Sequence, residues 1–494
     1  MTPAPGVPGP EGADARPADE REVVTAADLV LRTPDGDLPY RAEAGHLLVR
    51  DGAGEPLATV FFVAYTATGP DRPGSDRPLT YLFNGGPGSA SLWLNVGGFG
   101  PRRPAQRTPH ATPPAPYAIE PNTQSLLPVS DLVFLDAPGT GHSRILDGVD
   151  PARVWGVDAD GDVFARAILR HLARTGRWNS PRYLFGESYG TTRAAVVAHR
   201  LQNLGLDLNG IVLLSTLLDW TANQPGADQG FVNLLPTYAA TARYHGRAAR
   251  TELDDAAFDA AAIDFAQGRY AAALQRGDGL DAAEEAAVAA ELSALVGLDA
   301  GYLASRHLRV GLEEFRARLL ADEGRLIGRF DTRFVAEHAY VVGGGAMDPA
   351  TDDAATAGVT SALVTAFADH LGREIGYASP TAYVPLNNMV VEPAWDWRHR
   401  APAIDEPMPL PNVALDLSAA MRRNPHLRVL VLGGRYDLAT PYLGARYDLA
   451  HLFLGERLRA NVTLRSYDSG HMAFVDDAAL AAMTADVGAF LRGA

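Results

Sequence analysis

Arg182-Tyr183-Leu184-Phe185-Gly186-Glu187-Ser188-Tyr189-Gly190 is the stretch whose reading decides the fold. A short apolar run leads straight into Gly-x-Ser-x-Gly. An apolar segment with helical spacing, Ala194-Ala195-Val196-Val197-Ala198, follows it. A serine between a strand and a helix is the arrangement of a nucleophile elbow. The turn is tight, so the residues two before and two after the serine must be small, and Gly186 and Gly190 meet that need. The elbow lifts the hydroxyl off the sheet edge and turns the first N–H groups of the helix toward a developing oxyanion. Gly-x-Ser-x-Gly alone is a loose pattern that also arises by chance, so the rest of the chain has to support the reading.

Working outward, the chain has an α/β order. Segments 28–32, 46–50 and 59–65 alternate in the manner of antiparallel strands that open a sheet. Four continuous apolar runs suit buried parallel strands: Leu79–Phe83, Asp131–Leu135, 183–185 and 211–214. A helical segment at 157–174 separates the second from the third. From about 223 to 383 the chain is rich in Ala, Glu and Arg with helical periodicity, as at 258–274 and 280–295. Strand signals return at 428–432 and 462–466. A helical insertion between two sheet segments reads as a cap over the site, with a separate helical domain as the alternative. Both flanks are strands of one sheet, which favours the cap. The expected organisation is a Pro/Gly-rich disordered tail over 1–22, a catalytic domain built from 23–222 and 384–494, and a cap over 223–383.

Two partners for Ser188 follow from position. In this architecture the serine comes first, then an acid, then a histidine, each on a loop past a strand. The strand signal at 428–432 runs into Gly433-Gly434-Arg435-Tyr436-Asp437, and that at 462–466 runs into Asp468-Ser469-Gly470-His471. Asp437 and His471 thus lie just past strand ends, where they converge on Ser188. His471 takes the serine proton; Asp437 holds its tautomer and stabilises the imidazolium. Asp219, past the fourth parallel strand, and Asp468 are the rival acids.

Composition narrows the chemistry. With 494 residues, 47% hydrophobic and 21% charged, the chain suffices for one large core plus an insertion. A net charge of −16 argues against nucleic-acid binding. No apolar run reaches the ~18 residues of a membrane span. Cysteine is absent, which removes disulfides, thiolate catalysis and Cys-ligated metal sites. Lysine is absent as well, since all 43 Lys+Arg positions are arginine, which excludes a Ser–Lys mechanism, a Schiff base and a P-loop. The 13 histidines are scattered without a His-Glu-x-x-His pattern, so neither metal nor cofactor is expected. The N-terminus has no basic n-region or apolar h-region, so a cytoplasmic location is expected. The apolar segment 231–235 offers a homodimer face or, as the favoured reading, core packing within the cap.

Leu82-Phe83-Asn84-Gly85-Gly86-Pro87-Gly88-Ser89 is a Gly-rich turn directly after a strand. It exposes backbone N–H groups with no side chain in the way, where a second oxyanion donor belongs. Asn84-Gly85-Gly86-Pro87-Gly88-Ser89, Asp136-Ala137-Pro138-Gly139-Thr140-Gly141-His142-Ser143-Arg144, Gly186-Glu187-Ser188-Tyr189-Gly190, the Asp437 loop and Ser469-Gly470-His471 together resemble the serine carboxypeptidase family, peptidase family S10. The pieces run in the family's order from about residue 79 to 474. The resemblance implies an α/β-hydrolase fold, with helices on both faces of a mostly parallel sheet and a helical cap between late strands. It also implies a peptide substrate with a free C-terminus. Ser188, Asp437 and His471 take the triad positions, Gly86 and Tyr189 the oxyanion N–H pair, and Asn84 and Glu187 the places that bind the substrate's terminal carboxylate. Two facing carboxyl groups do not both stay ionised at low cost, so Glu187 is expected to be protonated for binding, giving an acidic optimum. The alternatives are an esterase or acyltransferase using the same triad, and a non-catalytic binding or scaffold protein.

Overall fold

The computed structural model describes residues 22–69, 77–224, 226–337 and 353–493, so most of the expected disordered tail lies outside the described residues. The core is a ten-stranded sheet. Nine of its strands lie in the order Val24–Thr33, Gly36–Arg50, Pro56–Ala67, Asp131–Leu135, Leu79–Phe83, Arg182–Glu187, Gly210–Leu214, Arg428–Gly434 and Val462–Tyr467. The two-residue strand Arg144–Ile145 pairs with Pro56–Ala67 off this path. The first three strands are antiparallel, and Pro56–Ala67 meets Asp131–Leu135 in the same sense. From there every neighbour is parallel. The inner parallel strands are buried on both faces, which is why Leu79–Phe83, Asp131–Leu135 and Gly210–Leu214 read as unbroken apolar runs, whereas the edge strand Val462–Tyr467 is mostly half-buried or exposed. The opening strands run longer than their alternation predicts, to 15 residues in Gly36–Arg50.

Two apolar clusters cover the two faces. Helices Val157–Thr175, Tyr189–Asn203 and Ala414–Arg423 cover one through residues such as Phe164, Val196 and Leu417. Helices Ala354–Asp369 and Asp477–Arg492 cover the other through Leu363, Phe367 and Leu480. A third cluster, from Val232 to Ile327 with Leu438 and Leu443, is the interior of a helical layer at the strands' C-terminal edge. The segment 231–235 goes into this layer, with Val232 and Leu235 buried and Phe231 and Leu234 facing the cavity below.

The insertion differs from its predicted extent. Helix Ala354–Asp369 and the turn after it pack on the sheet face beside Phe61 and Phe99, not inside the helical layer. Helical periodicity marks an apolar stripe but not the surface that covers it, so the sequence does not separate the two. The layer also holds the short strand pair Arg325–Ile327 and Val335–Glu337, which the sequence does not announce.

Because Leu79–Phe83, Arg182–Glu187, Arg428–Gly434 and Val462–Tyr467 are parallel, the loops after all four emerge at one edge. The chain visits Leu79–Phe83, then Asp131–Leu135 on one side of it, then Arg182–Glu187 on the other. That reversal leaves a crevice at the strands' carboxyl ends, where ligands bind in open α/β sheets.

Candidate active site

Ser188 joins strand Arg182–Glu187 to helix Tyr189–Asn203 at φ 60°, ψ −129°. That backbone region is sparsely populated for a residue with a Cβ and persists only where its surroundings over-determine it. Here Ser188 N donates to Leu214 O at 3.0 Å, and Ser188 O accepts from Thr191 N at 2.8 Å. A Cβ on Gly186 would stand 2.0 Å from Gly190 O, so the tight turn admits only glycine there.

The two late loops interlock. A Cβ on Gly434 would lie 2.2 Å from Gly470 O, so the chain leading to Asp437 and the chain leading to His471 touch backbone to backbone. His471 Nδ1 lies 2.8 Å from Asp437 Oδ2. Asp437 is wholly buried, and its Oδ1 accepts from the N–H groups of Ala439 and Thr440 at 2.8 and 3.0 Å. Thr440 Oγ1 donates to Asp437 Oδ2 at 2.6 Å and stands 3.1 Å from His471 Nδ1. The rival acids do other work: Asp219 caps the turn after it through Thr221 N at 2.9 Å, and Asp468 pairs at the surface with Arg435 at 2.5 Å.

The His471 backbone is held as well. Its N–H donates to Phe330 O at 2.5 Å, and its carbonyl accepts from Ser215 Oγ at 2.7 Å. The Phe330 ring lies against the imidazole, centroids 5.0 Å apart. The free edge of the ring, Nε2, lies 3.4 Å from Glu187 Oε1. Among the described residues Ser188 Oγ makes no hydrogen bond; it shares one cavity with His471.

Glu187 and Asn84 form a buried pair, with Asn84 Nδ2 donating to Glu187 Oε2 at 2.7 Å. Asn84 Oδ1 accepts from Leu94 N at 3.1 Å, which fixes the amide's orientation. Burial pushes the Glu187 carboxyl up, and Asp437 adds to this, against the opposing pull of His471 and Asn84. Burial alone would hold His471 down, but Asp437 and then Glu187 outweigh it and raise the imidazole, with Arg329 working against them. The two shifts belong to one coupled set of groups that favours holding a proton.

Ser188, His471, Asn84, Glu187, Gly86 and Tyr189 all line one cavity of about 570 Å³, roofed by Phe231, Leu234 and Leu312 of the helical layer. The main-chain N–H groups of Gly86 and Tyr189 make no backbone hydrogen bond among the described residues. Beneath the elbow, Arg193 and Asp160 form a fully buried ion pair at 2.6 Å, and Arg193 Nη1 donates to Asn84 O at 2.6 Å. Thr440, Arg193 and Phe330 are structural contributors that the sequence reading missed. The Asp-x-x-Thr spacing is the signal for the first; Arg193, one of two arginines in the elbow helix, and Phe330 have none. Among the described residues no group of three or more His, Asp or Glu is placed to hold a metal, and no helix is long and apolar enough to cross a membrane.

A strained serine between strand and helix, sharing one cavity with a carboxylate-bound histidine at the C-terminal edge of a mostly parallel sheet, defines a serine hydrolase of the α/β-hydrolase fold. Residues 34–223 match the model of the serine carboxypeptidase family, Peptidase S10, and the resemblance read from the motifs holds over that span. The span contains the Asn84 loop and the elbow; Asp437 and His471 lie beyond it. No curated protein matches the chain. Among solved structures, a prohormone-processing carboxypeptidase from Saccharomyces cerevisiae, KEX1(DELTA)P, is 14% identical, with 97% of this chain and 92% of that chain covered at a TM-score of 0.52. A proline iminopeptidase from Mycobacterium smegmatis is also 14% identical, covering 91% of this chain and 98% of its own at a TM-score of 0.37. At such identities the likeness is one of fold.

Proposed function

We propose that the protein is a serine carboxypeptidase that releases C-terminal residues from peptides through an acyl-enzyme on Ser188, best at acidic pH. The observation that carries this reading is the buried Asn84–Glu187 pair one residue from Ser188, inside the same cavity. A carboxyl group held protonated beside an amide N–H offers two donors to a substrate carboxylate. An esterase has no use for such a pair.

The steps follow from the groups present. His471 Nε2 accepts the Ser188 proton as Oγ attacks the scissile carbonyl, and the N–H groups of Gly86 and Tyr189 receive the oxyanion. The imidazolium, stabilised by Asp437, then protonates the departing amine. Water, deprotonated by the same imidazole, releases the acyl group and restores Ser188. Glu187 and His471 share a proton: with it on Glu187, the imidazole is a free base and the carboxyl is neutral toward the substrate's terminus. With it on His471, both functions are lost. Acidic pH supplies that proton, and a bound terminal carboxylate draws it onto Glu187.

The test is amino-acid release from N-blocked dipeptides at pH 5 and 7.5 by wild type, Ser188→Ala and Glu187→Gln. Release is expected to need Ser188, to peak at pH 5 in wild type and to lose its fall toward pH 7.5 in Glu187→Gln, where the position is neutral at every pH. A flat wild-type profile refutes the proton-sharing clamp. Absence of release with Ser188-dependent hydrolysis of a p-nitrophenyl ester moves the chain to the esterase or acyltransferase reading.

A further inference from the structure

Arg316, Arg329 and Arg333 lie close together in the chain, in the segment that carries Phe330, whose ring lies against His471. Arg316 pairs with Asp353 at 3.2 Å and Arg333 with Asp331 at 2.7 Å. Arg329 pairs with nothing among the described residues. It lines the catalytic cavity, and its Nε is buried without a hydrogen bond. The cavity holds two carboxylates, Glu187 and Glu392. The first is bonded to Asn84, the second is exposed, and neither forms an ion pair with Arg329.

The backbone of Arg329 is fixed on both sides. Its N–H donates to Asp353 Oδ1, and its carbonyl accepts from Leu438 N, next to Asp437, at 3.1 Å. Its guanidinium carbon lies 5.7 Å from the ring centre of Phe330, the residue that lies against His471. A guanidinium carried on a clamped backbone and opening into a reaction cavity presents an unused fork of donors to whatever fills that cavity. Leu438 beside it and Leu312 of the roof are apolar and suit a methylene stem. A buried guanidinium N–H without a partner carries a desolvation cost that an arriving carboxylate removes.

We infer that Arg329 is a specificity-determining residue that selects peptides with an acidic side chain next to the scissile bond. The inference rests on the carboxypeptidase reading and adds the substrate class to it: one carboxylate of the substrate goes to Asn84 and Glu187, a second to Arg329. The second pairing is bidentate in kind and demands no proton, unlike the first.

The test compares kcat/KM for N-blocked dipeptides that differ only as Glu, Gln or Lys, placed in turn on each side of the scissile bond, in wild type, Arg329→Gln and Arg329→Glu. A charge-assisted hydrogen-bonded pair corresponds to a preference of about 10- to 100-fold. Wild type is expected to favour Glu by that factor at one of the two positions, Arg329→Gln to level the ratio, and Arg329→Glu to turn the preference toward Lys. Each ratio is taken within one protein, so a partly unfolded variant does not distort it, and the wild-type ratio needs no variant. Cleavage of Glu and Gln substrates at equal rates overturns the inference while leaving the carboxypeptidase reading intact. If no dipeptide is cleaved, that reading has failed. Calorimetric titration of N-acetylglutamate against N-acetylglutamine into wild type and Arg329→Gln then decides the inference: an Arg329-dependent preference for the acid sustains it, equal affinities refute it.

Discussion

Replacing Asp160 by Asn leaves Arg193 charged beneath the elbow with no carboxylate. Both side chains are buried, at 0% and 1% exposure, with 2.6 Å between Nε and Oδ2. At an effective dielectric of about 20, unit charges at that distance attract by about 6 kcal/mol. Withdrawing each ion from water costs several kcal/mol, so the attraction and the desolvation nearly cancel. The acid shows the balance: burial pushes the Asp160 carboxyl up even with the guanidinium bonded to it. The pair as a unit therefore adds little net stability, but losing one member exposes the full cost of the other. The Asp160→Asn change keeps the shape and is expected to cost about 3 kcal/mol or more. The double change Asp160→Leu with Arg193→Met is expected within about 1 kcal/mol of wild type, or above it. Urea unfolding followed by tryptophan fluorescence measures both. A loss below about 1 kcal/mol for Asp160→Asn refutes the argument, as does a double variant no more stable than the single. Arg193 also donates to Asn84 O and stacks on Phe164, with 4.1 Å to the ring centre. Asp160→Asn is thus expected to reduce dipeptide cleavage more than ester cleavage.

Asp437→Asn keeps the contact with His471 but stabilises the wrong tautomer, and kcat is expected to fall about 10³- to 10⁴-fold with KM little changed; a loss under tenfold refutes Asp437 as the triad acid. Gly186→Ala places a methyl 2.0 Å from Gly190 O and is expected to destabilise by about 3 kcal/mol or, failing that, to move Ser188 and abolish labelling by a fluorophosphonate. A variant with wild-type stability and labelling contradicts the elbow geometry. Burial would lower His399, but Asp158 and Asp416 on its two ring nitrogens raise it from an ordinary 6.5 to about 9. A histidine raised on folding contributes stability that is complete below pH 6.5 and is lost as pH rises through about 9, here about 3 kcal/mol. His399→Gln is expected to flatten that decline in urea midpoint, and an unchanged slope refutes the assignment.

What the chain determines locally was legible. Gly186-Glu187-Ser188-Tyr189-Gly190 between an apolar run and a helix has one low-energy solution, because only a sharp turn lets glycines pack backbone on backbone, as Gly186 does on Gly190. The unbroken apolar runs marked strands buried on both faces, and parallel strands carry Asp437 and His471 to the same edge as Ser188 by topology alone. Contacts that join segments far apart in sequence were not legible. Helix Ala354–Asp369 has the same periodicity whether it packs on the sheet or in the layer above, and only the surface available decided for the sheet. The Asp160–Arg193 pair spans 33 residues and gives no sign in either helix taken alone. Arg316, Arg329 and Arg333 look equivalent as residues, yet two are paired and the third opens into the cavity. Sequence records which chemistry the chain carries; only tertiary packing sets which charges find partners and which are left for a substrate, because that depends on what the fold brings within a few ångströms.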